Sequence, residues 1–212
     1  FLIGGAGNDT LSGSGGDDVM IGGTGDDVYI FSSSFDWVWE GWNEGRDSIV
    51  IGSSDSGAPI SVWMPENVEL LFMNTGFAGI GNSSANRIVG NDDVNILIGG
   101  DGDDTLISEG GGDHLAGGAG RDAFALHTST EMMTIWDFEP GVDTLVVSTP
   151  TSFSASQALI RNSGIQWGPH VLLDWRSDYK VLFVNTTKDA LMAHNLFTDV
   201  ATLGPDYHWT PF

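Results

Sequence analysis

Aspartates stand at positions 9, 18 and 27, nine residues apart, and each is followed two places later by a large apolar residue: Leu11, Met20 and Tyr29. The units are GGAGNDTLS from Gly4, GSGGDDVMI from Gly13 and GGTGDDVYI from Gly22. A second array of five units runs from Gly81 to Ala125: GNSSANRIV, GNDDVNILI, GGDGDDTLI, SEGGGDHLA and GGAGRDAFA. Its sixth places hold Asn86, Asn95, Asp104, Asp113 and Asp122, and its eighth places hold Ile88, Leu97, Leu106, Leu115 and Phe124. Carboxylates brought together at regular spacing repel one another unless a cation lies between them. With backbone carbonyls freed by tight turns, they supply the hard oxygen donors that calcium takes in sets of about six to eight. Asn86 and Asn95 are weaker donors, so the unit at Gly81 reads as a structural lead-in.

The unit also dictates the elements that position these acids. Its first six residues, of Gly and Asp type, form a turn because glycine reaches positive φ freely; the last three form an extended triplet whose middle side chain points inward. Two units then make one coil of a flattened parallel β-roll, and stacking coils brings the sixth-place acids of one turn near those of the next. Extra acids at place five (Asp17, Asp26, Asp103) and place three (Asp92, Asp101) are expected to be solvated.

Composition separates two regions. Residues 1–160 carry 24 acids against three bases and 27 of the 30 glycines, whereas residues 161–212 carry five acids against four bases, within a formal net charge of -22. A field this negative disfavours nucleic acid and anionic membranes, which bind through clustered Lys and Arg. No apolar run reaches the length of a membrane span, and zero cysteines exclude disulfides and thiolate metal sites. A glycine-rich acidic linker would not need an apolar residue at every ninth position.

Eight phased units of this form resemble the RTX family of secreted bacterial proteins, with its G-G-x-G-x-D-x-U-x repeat, where U is a large apolar residue. The resemblance implies an all-β, right-handed parallel β-roll or β-helix with several bound Ca²⁺ ions and a C-terminal antiparallel capping section. Four segments follow: a first repeat block over 1–30, irregular spacer coils over 31–80, a second block over 81–125, and closing strands with a cap over 126–212. In the spacer, EGRDSIV resembles the family's E-G-x-D-x-V/I stretch, and Glu44 and Asp47 are candidate ligands at a bend, or simply a surface turn. TIWDFEPGVDTLVVS over 134–148 resembles the strand that closes such rolls, which makes Asp137 and Asp143 candidate ligands by resemblance. The candidate metal set is therefore Asp9, Asp18, Asp27, Asp47, Asn95, Asp104, Asp113, Asp122, Asp137 and Asp143.

The tail reads as a short helix over SASQALIR capped by Ser154, then strands HVLLDW and YKVLFV around Arg176-Ser177-Asp178. By resemblance, Leu196-Phe197 through Phe212 would carry the signal read by a type I secretion channel. Phe1-Leu2-Ile3 reads as the end of a repeat, so a piece of a longer extracellular protein with an upstream domain is expected.

Neither H-E-x-x-H nor G-x-S-x-G occurs, and His114, His127, His170, His194 and His208 are scattered, so a non-catalytic module is expected. The second reading is a calcium-dependent polysaccharide-binding module, and the third an adhesin or S-layer segment. Trp37, Trp39 and Trp42 are a candidate sugar platform, although aromatics in spacers more often fill a core or cover a coil.

Overall fold

The computed structural model describes residues 1–42, 44–54, 57–126, 131–147, 153–175 and 179–199. Each nonapeptide forms a turn and a short strand, and successive strands alternate between two faces of a parallel β-solenoid of about eight turns. One face is a nine-stranded, fully parallel sheet that runs from Thr10–Ser12 through Val28–Phe31, Ser48–Ile51, Leu70–Met73, Arg87–Val89, Thr105–Ser108, Ala123–Leu126 and Thr144–Val147 to Phe197–Asp199. The other begins as the three-stranded sheet Leu2–Ala6, Val19–Thr24 and Trp37–Trp39, then continues as an eight-stranded sheet from Ser61–Trp63 through Ala78–Ile80, Ile96–Asp101, His114–Ala119 and Met132–Ile135 into the cap.

Register follows from the repeat. Leu2 lies beside Met20, Leu97 beside Leu115 and Leu106 beside Phe124, so a coil in either block is two nonapeptides long. The eighth-place side chains stack inside: Met20, Tyr29, Ile88, Leu97, Leu106, Leu115 and Phe124 are fully buried, and Leu11, in the first coil, is nearly so. Burial of each contributes about 2 kcal/mol. Residues 31–80 keep the same stack with altered coil lengths, because Val28 pairs with Ser48 and Ser48 with Leu70. Longer coils enlarge the turns and leave the inward positions to Val38, Ile49, Ile51, Val62 and Leu71.

Trp37 and Trp39 flank Val38, and period-two geometry turns them outward, with 57% and 67% of their surface exposed. Trp42 is 86% exposed. These tryptophans therefore do not fill the core: Val38 takes the inward position.

The cap extends both faces. Hairpin strands Gly164–Trp167, His170–Trp175 and Tyr179–Phe183 are antiparallel to one another, and the last lies parallel to Met132–Ile135. Phe197–Asp199 pairs in parallel with Thr144–Val147, so the tail supplies three strands to one sheet and one to the other. Ile160, Val171, Val181, Phe183, Leu191 and Phe197 join the solenoid core, and Phe138 meets Phe183 edge-on at 5.0 Å. The first helix spans Phe153–Ser163, which places Ser154 inside it rather than at its cap. Thr187 caps the second helix, Lys188–Ala193, by accepting the Ala190 N–H at 3.2 Å. Leu196 and Phe197 are buried core residues; the rest of the expected secretion signal beyond 199, together with His127, His208 and the Arg176-Ser177-Asp178 turn, lies outside the described residues.

Candidate metal centre

In each well-formed turn the sixth-place carboxylate folds back over the first-place glycine. A Cβ at Gly22, Gly99 or Gly117 would stand 2.1 to 2.2 Å from Oδ2 of Asp27, Asp104 or Asp122, closer than atoms can approach. The repeat therefore begins with glycine because the acid occupies the side-chain space.

The other oxygen of each carboxylate ties neighbouring coils together. The Asp9 N–H donates to Asp27 Oδ1 at 2.7 Å, the Asp27 N–H to Asp47 Oδ1 at 2.8 Å, and the Asp47 N–H to Glu69 Oε2 at 2.8 Å. Further along the same edge, the Asn86 N–H donates to Asp104 Oδ1 at 2.7 Å, the Asp104 N–H to Asp122 Oδ1 at 2.9 Å, and the Asp122 N–H to Asp143 Oδ1 at 3.0 Å. Two runs of a carboxylate ladder thus line one edge of the solenoid. The opposite edge carries shorter links, Asp18 N–H to Asp36 Oδ1 at 3.0 Å and Asn95 N–H to Asp113 Oδ1 at 2.8 Å.

What happens to the second oxygen divides the turns into two kinds. Oδ2 of Asp9, Asp27 and Asp104 is buried without a hydrogen-bond partner. An ionised oxygen in that state is strongly disfavoured unless a cation neutralises it, and the mix of carboxylates and turn carbonyls fits a hard ion. Other turns satisfy themselves. Asn86 and Asn95 accept the Asn82 and Asn91 N–H groups at 2.7 and 2.8 Å and donate their amide NH₂ to the Val68 and Gly76 carbonyls. Asp113 Oδ2 accepts the hydroxyl of Ser108, which stands at the first place where glycine is usual. Asp36 Oδ2 accepts the Ser32 and Ser33 N–H groups, and Asp143 Oδ2 accepts the Glu139 N–H.

Of the ten residues expected from sequence, Asp9, Asp27 and Asp47 lie in one run of the ladder and Asp104, Asp122 and Asp143 in the other. Asp18, Asn95 and Asp113 lie on the opposite edge. Asp137 stands apart, exposed, with its two oxygens accepting the Gly117 and Gly118 N–H groups at 2.9 Å each. Glu44 turns back to accept the Gly41 N–H at 2.7 Å. Asp17, Asp26, Asp92, Asp101 and Asp103 are exposed, as expected of solvated acids. Sequence reasoning missed Asp36, Glu69 and Glu40. Asp36 lies nine residues after Asp27 and could have been found by extending the array; Glu69 is hidden by the lengthened coil, and Glu40 stands at a place where the repeat calls for glycine.

Burial dominates the electrostatics of the ladder. It pushes Asp104 up to about 7, against the hydrogen bond from the Asn86 N–H and with help from the charges of Asp122, Asp103 and Asp101. It pushes Asp47, Asp113 and Asp122 up to about 6, and it raises Asp143 and Glu69 as well. In each case the hydrogen bonds the carboxylate accepts offset only part of the desolvation.

A stacked parallel solenoid with partnerless carboxylate oxygens at glycine-led turns defines a cation-binding repeat architecture. The family model of the RTX calcium-binding nonapeptide repeat (four copies) matches residues 1–29, 80–115 and 89–124. Over these residues the chain carries RTX nonapeptide repeats, which are calcium-binding motifs. No curated protein shows significant similarity to it.

The raised carboxylates fix a pH dependence for the metal-free chain. Their folded-state values lie above the ordinary 3.8, so the folded form holds protons that the unfolded form has released. That stability is present below about pH 4 and is lost as pH rises through about 6 to 7. Circular dichroism in EGTA should show the β signal growing on acidification from about pH 7.5 to 4.5; a β signal that weakens over that range would contradict the placement of these acids.

Proposed function

We propose that this calcium-binding module folds outside the cell and, through folding, supports the secretion and stability of a larger extracellular protein. The observation that carries the reading is the row of buried carboxylate oxygens without partners, in a chain of net charge -22. The ligands we assign are Asp9, Asp27 and Asp47 in one run and Asp104 and Asp122 in the other, with Asp18 on the far edge. Asn95, Asp113, Asp137 and Asp143 hold their turns by hydrogen bonds and contribute at most a remaining lone pair. Bound calcium supplies positive charge and a flexible oxygen-coordination shell.

Where calcium is scarce, the acids repel across coils and the glycines favour an open chain, the state suited to passage through a narrow channel. At roughly millimolar calcium, sites in the range typical of extracellular modules, on the order of 10⁻⁴ to 10⁻³ M, fill and the coils close. RTX repeats are typical of secreted proteins, which supports this reading. The cap shields the last coil, whose strand edges and apolar interior would otherwise be open. A non-catalytic role is consistent with the separation of the described histidines. His114 lies beside Trp136 at 6.0 Å, His170 accepts the Asn185 N–H, and His194 lies against Gly141.

A second reading, polysaccharide binding, is favoured by the outward tryptophans. Trp37 and Trp39 extend a row begun by Val19 and Ile21, and Trp63, 66% exposed, lies further along the same side.

Replacing Asp104→Ala together with Asp122→Ala should raise the calcium concentration at half-folding several-fold, read by circular dichroism; an unchanged midpoint would overturn the ligand assignment. In affinity electrophoresis with a neutral polysaccharide, the glycan reading predicts retardation that requires calcium and disappears in Trp37→Ala with Trp39→Ala. Equal mobility with and without the glycan would remove that reading.

A further inference from the structure

At the junction of the first repeat block and the spacer, one turn departs from the repeat. Ile21 pairs with Trp39, so Glu40 stands in the coil where Gly22 stands in the coil before. Its side chain enters the space that the repeat reserves for the sixth-place acid. Glu40 is 5% exposed, and neither of its carboxylate oxygens has a hydrogen-bond partner. Oxygens of Asp27, Glu40 and Asp47 all lie within 4.8 Å of one another, and all three residues are buried.

A fourth oxygen points to the same place from outside the acidic cluster. Tyr29 is fully buried, and its hydroxyl has no hydrogen-bond partner. The point where a Cβ on Gly22 would sit is 2.1 Å from the Tyr29 hydroxyl, 2.1 Å from Asp27 Oδ2 and 2.6 Å from Glu40 Oε1. Tyr29 is the one tyrosine among the eighth-place residues; the others are Leu, Ile, Met or Phe. A hydroxyl in the core without a partner is disfavoured. It is accounted for when the phenol oxygen has a ligand to meet.

We propose that Asp27, Glu40, Asp47 and the Tyr29 hydroxyl form an interior site for a hard divalent cation of the calcium class, built on two acids of the ladder. It differs from the nonapeptide turns in drawing on two residues, Glu40 and Tyr29, that have no ligand role in the repeat. Magnesium demands near-octahedral geometry and keeps much of its water, whereas a buried set of three carboxylates and a phenol suits calcium. The additional carboxylate makes the site tighter than turns with fewer, because affinity rises with ligand charge. The site also lies where coil length changes, since Asp9 and Asp27 are 18 residues apart and Asp27 and Asp47 are 20. It thereby fixes the register of the first spacer coil against the repeat block.

The proposal rests on the calcium reading, and the experiment separates the two. Bound calcium is counted by equilibrium dialysis with atomic absorption on the full 212-residue chain and on Glu40→Gly and Glu40→Gln. Glu40→Gly restores the residue usual at this place, and Glu40→Gln keeps the shape while removing the charge, so a folded variant is available by one route or the other. Each variant should hold one ion fewer per chain, lost from the tightest class, with an unchanged calcium-saturated circular dichroism spectrum. Tyr29→Phe should weaken that same class several-fold. Equal ion counts and affinities in wild type and both Glu40 variants would overturn the site while leaving calcium binding at the repeats intact. A wild-type chain that binds no calcium would overturn both.

Discussion

The fold depends on a carboxylate with two oxygens and only one hydrogen-bond donor to meet them. Along the ladder, Asp27, Asp47, Glu69, Asp104, Asp122 and Asp143 each give one oxygen to the N–H of the neighbouring coil, and this bond holds the stack in register. The second oxygen then faces the interior of the turn, a strand spacing from the next acid. At an effective dielectric of about 20, two charges about 5 Å apart repel by about 3 kcal/mol. That is comparable to the gain of about 2 kcal/mol from burying one eighth-place side chain. The same contact that stacks the coils therefore makes stacking conditional on relief of charge.

Relief takes two forms. Where the turn is internally complete, a neighbouring group of the protein supplies the donor: the amides of Asn86 and Asn95 reach backbone carbonyls, and the Ser108 hydroxyl reaches Asp113. Where it is incomplete, at Asp9, Asp27 and Asp104, a buried oxygen is left for a cation. The incomplete turns occur in both repeat blocks, and complete turns lie between them and within the second. Turns completed by the protein's own donors thus lie beside turns that leave a buried oxygen without a partner, and the cap adds apolar core.

The repeat blocks were legible because one period encodes both features: glycine and acid at places one and six make the turn, and an apolar residue at place eight makes the inward position. Stacked parallel coils, the 18-residue register and the sharing of an edge by Asp104 and Asp122 all follow. The spacer was less legible because inserted residues change the coil length, so Glu69 loses its phase with Asp47. Asp36 kept the phase, but its serine-rich surroundings masked the turn. The outward tryptophans show a different limit: composition marks them as core-like, whereas strand parity assigns the interior to Val38. The helix start at Phe153 and the hydrogen bonds that complete the Asn95 and Asp113 turns depend on tertiary geometry that no local pattern states.

The central claim is that calcium, and not the apolar core alone, closes the solenoid. The most direct test is far-UV circular dichroism of the chain in EGTA, titrated with CaCl₂ and separately with MgCl₂. The account predicts little β structure in EGTA at neutral pH, a cooperative rise with calcium, and no comparable rise with magnesium at the same concentrations. A chain with its full β signal in EGTA would show that core and cap suffice, and would contradict the coupling of folding to calcium.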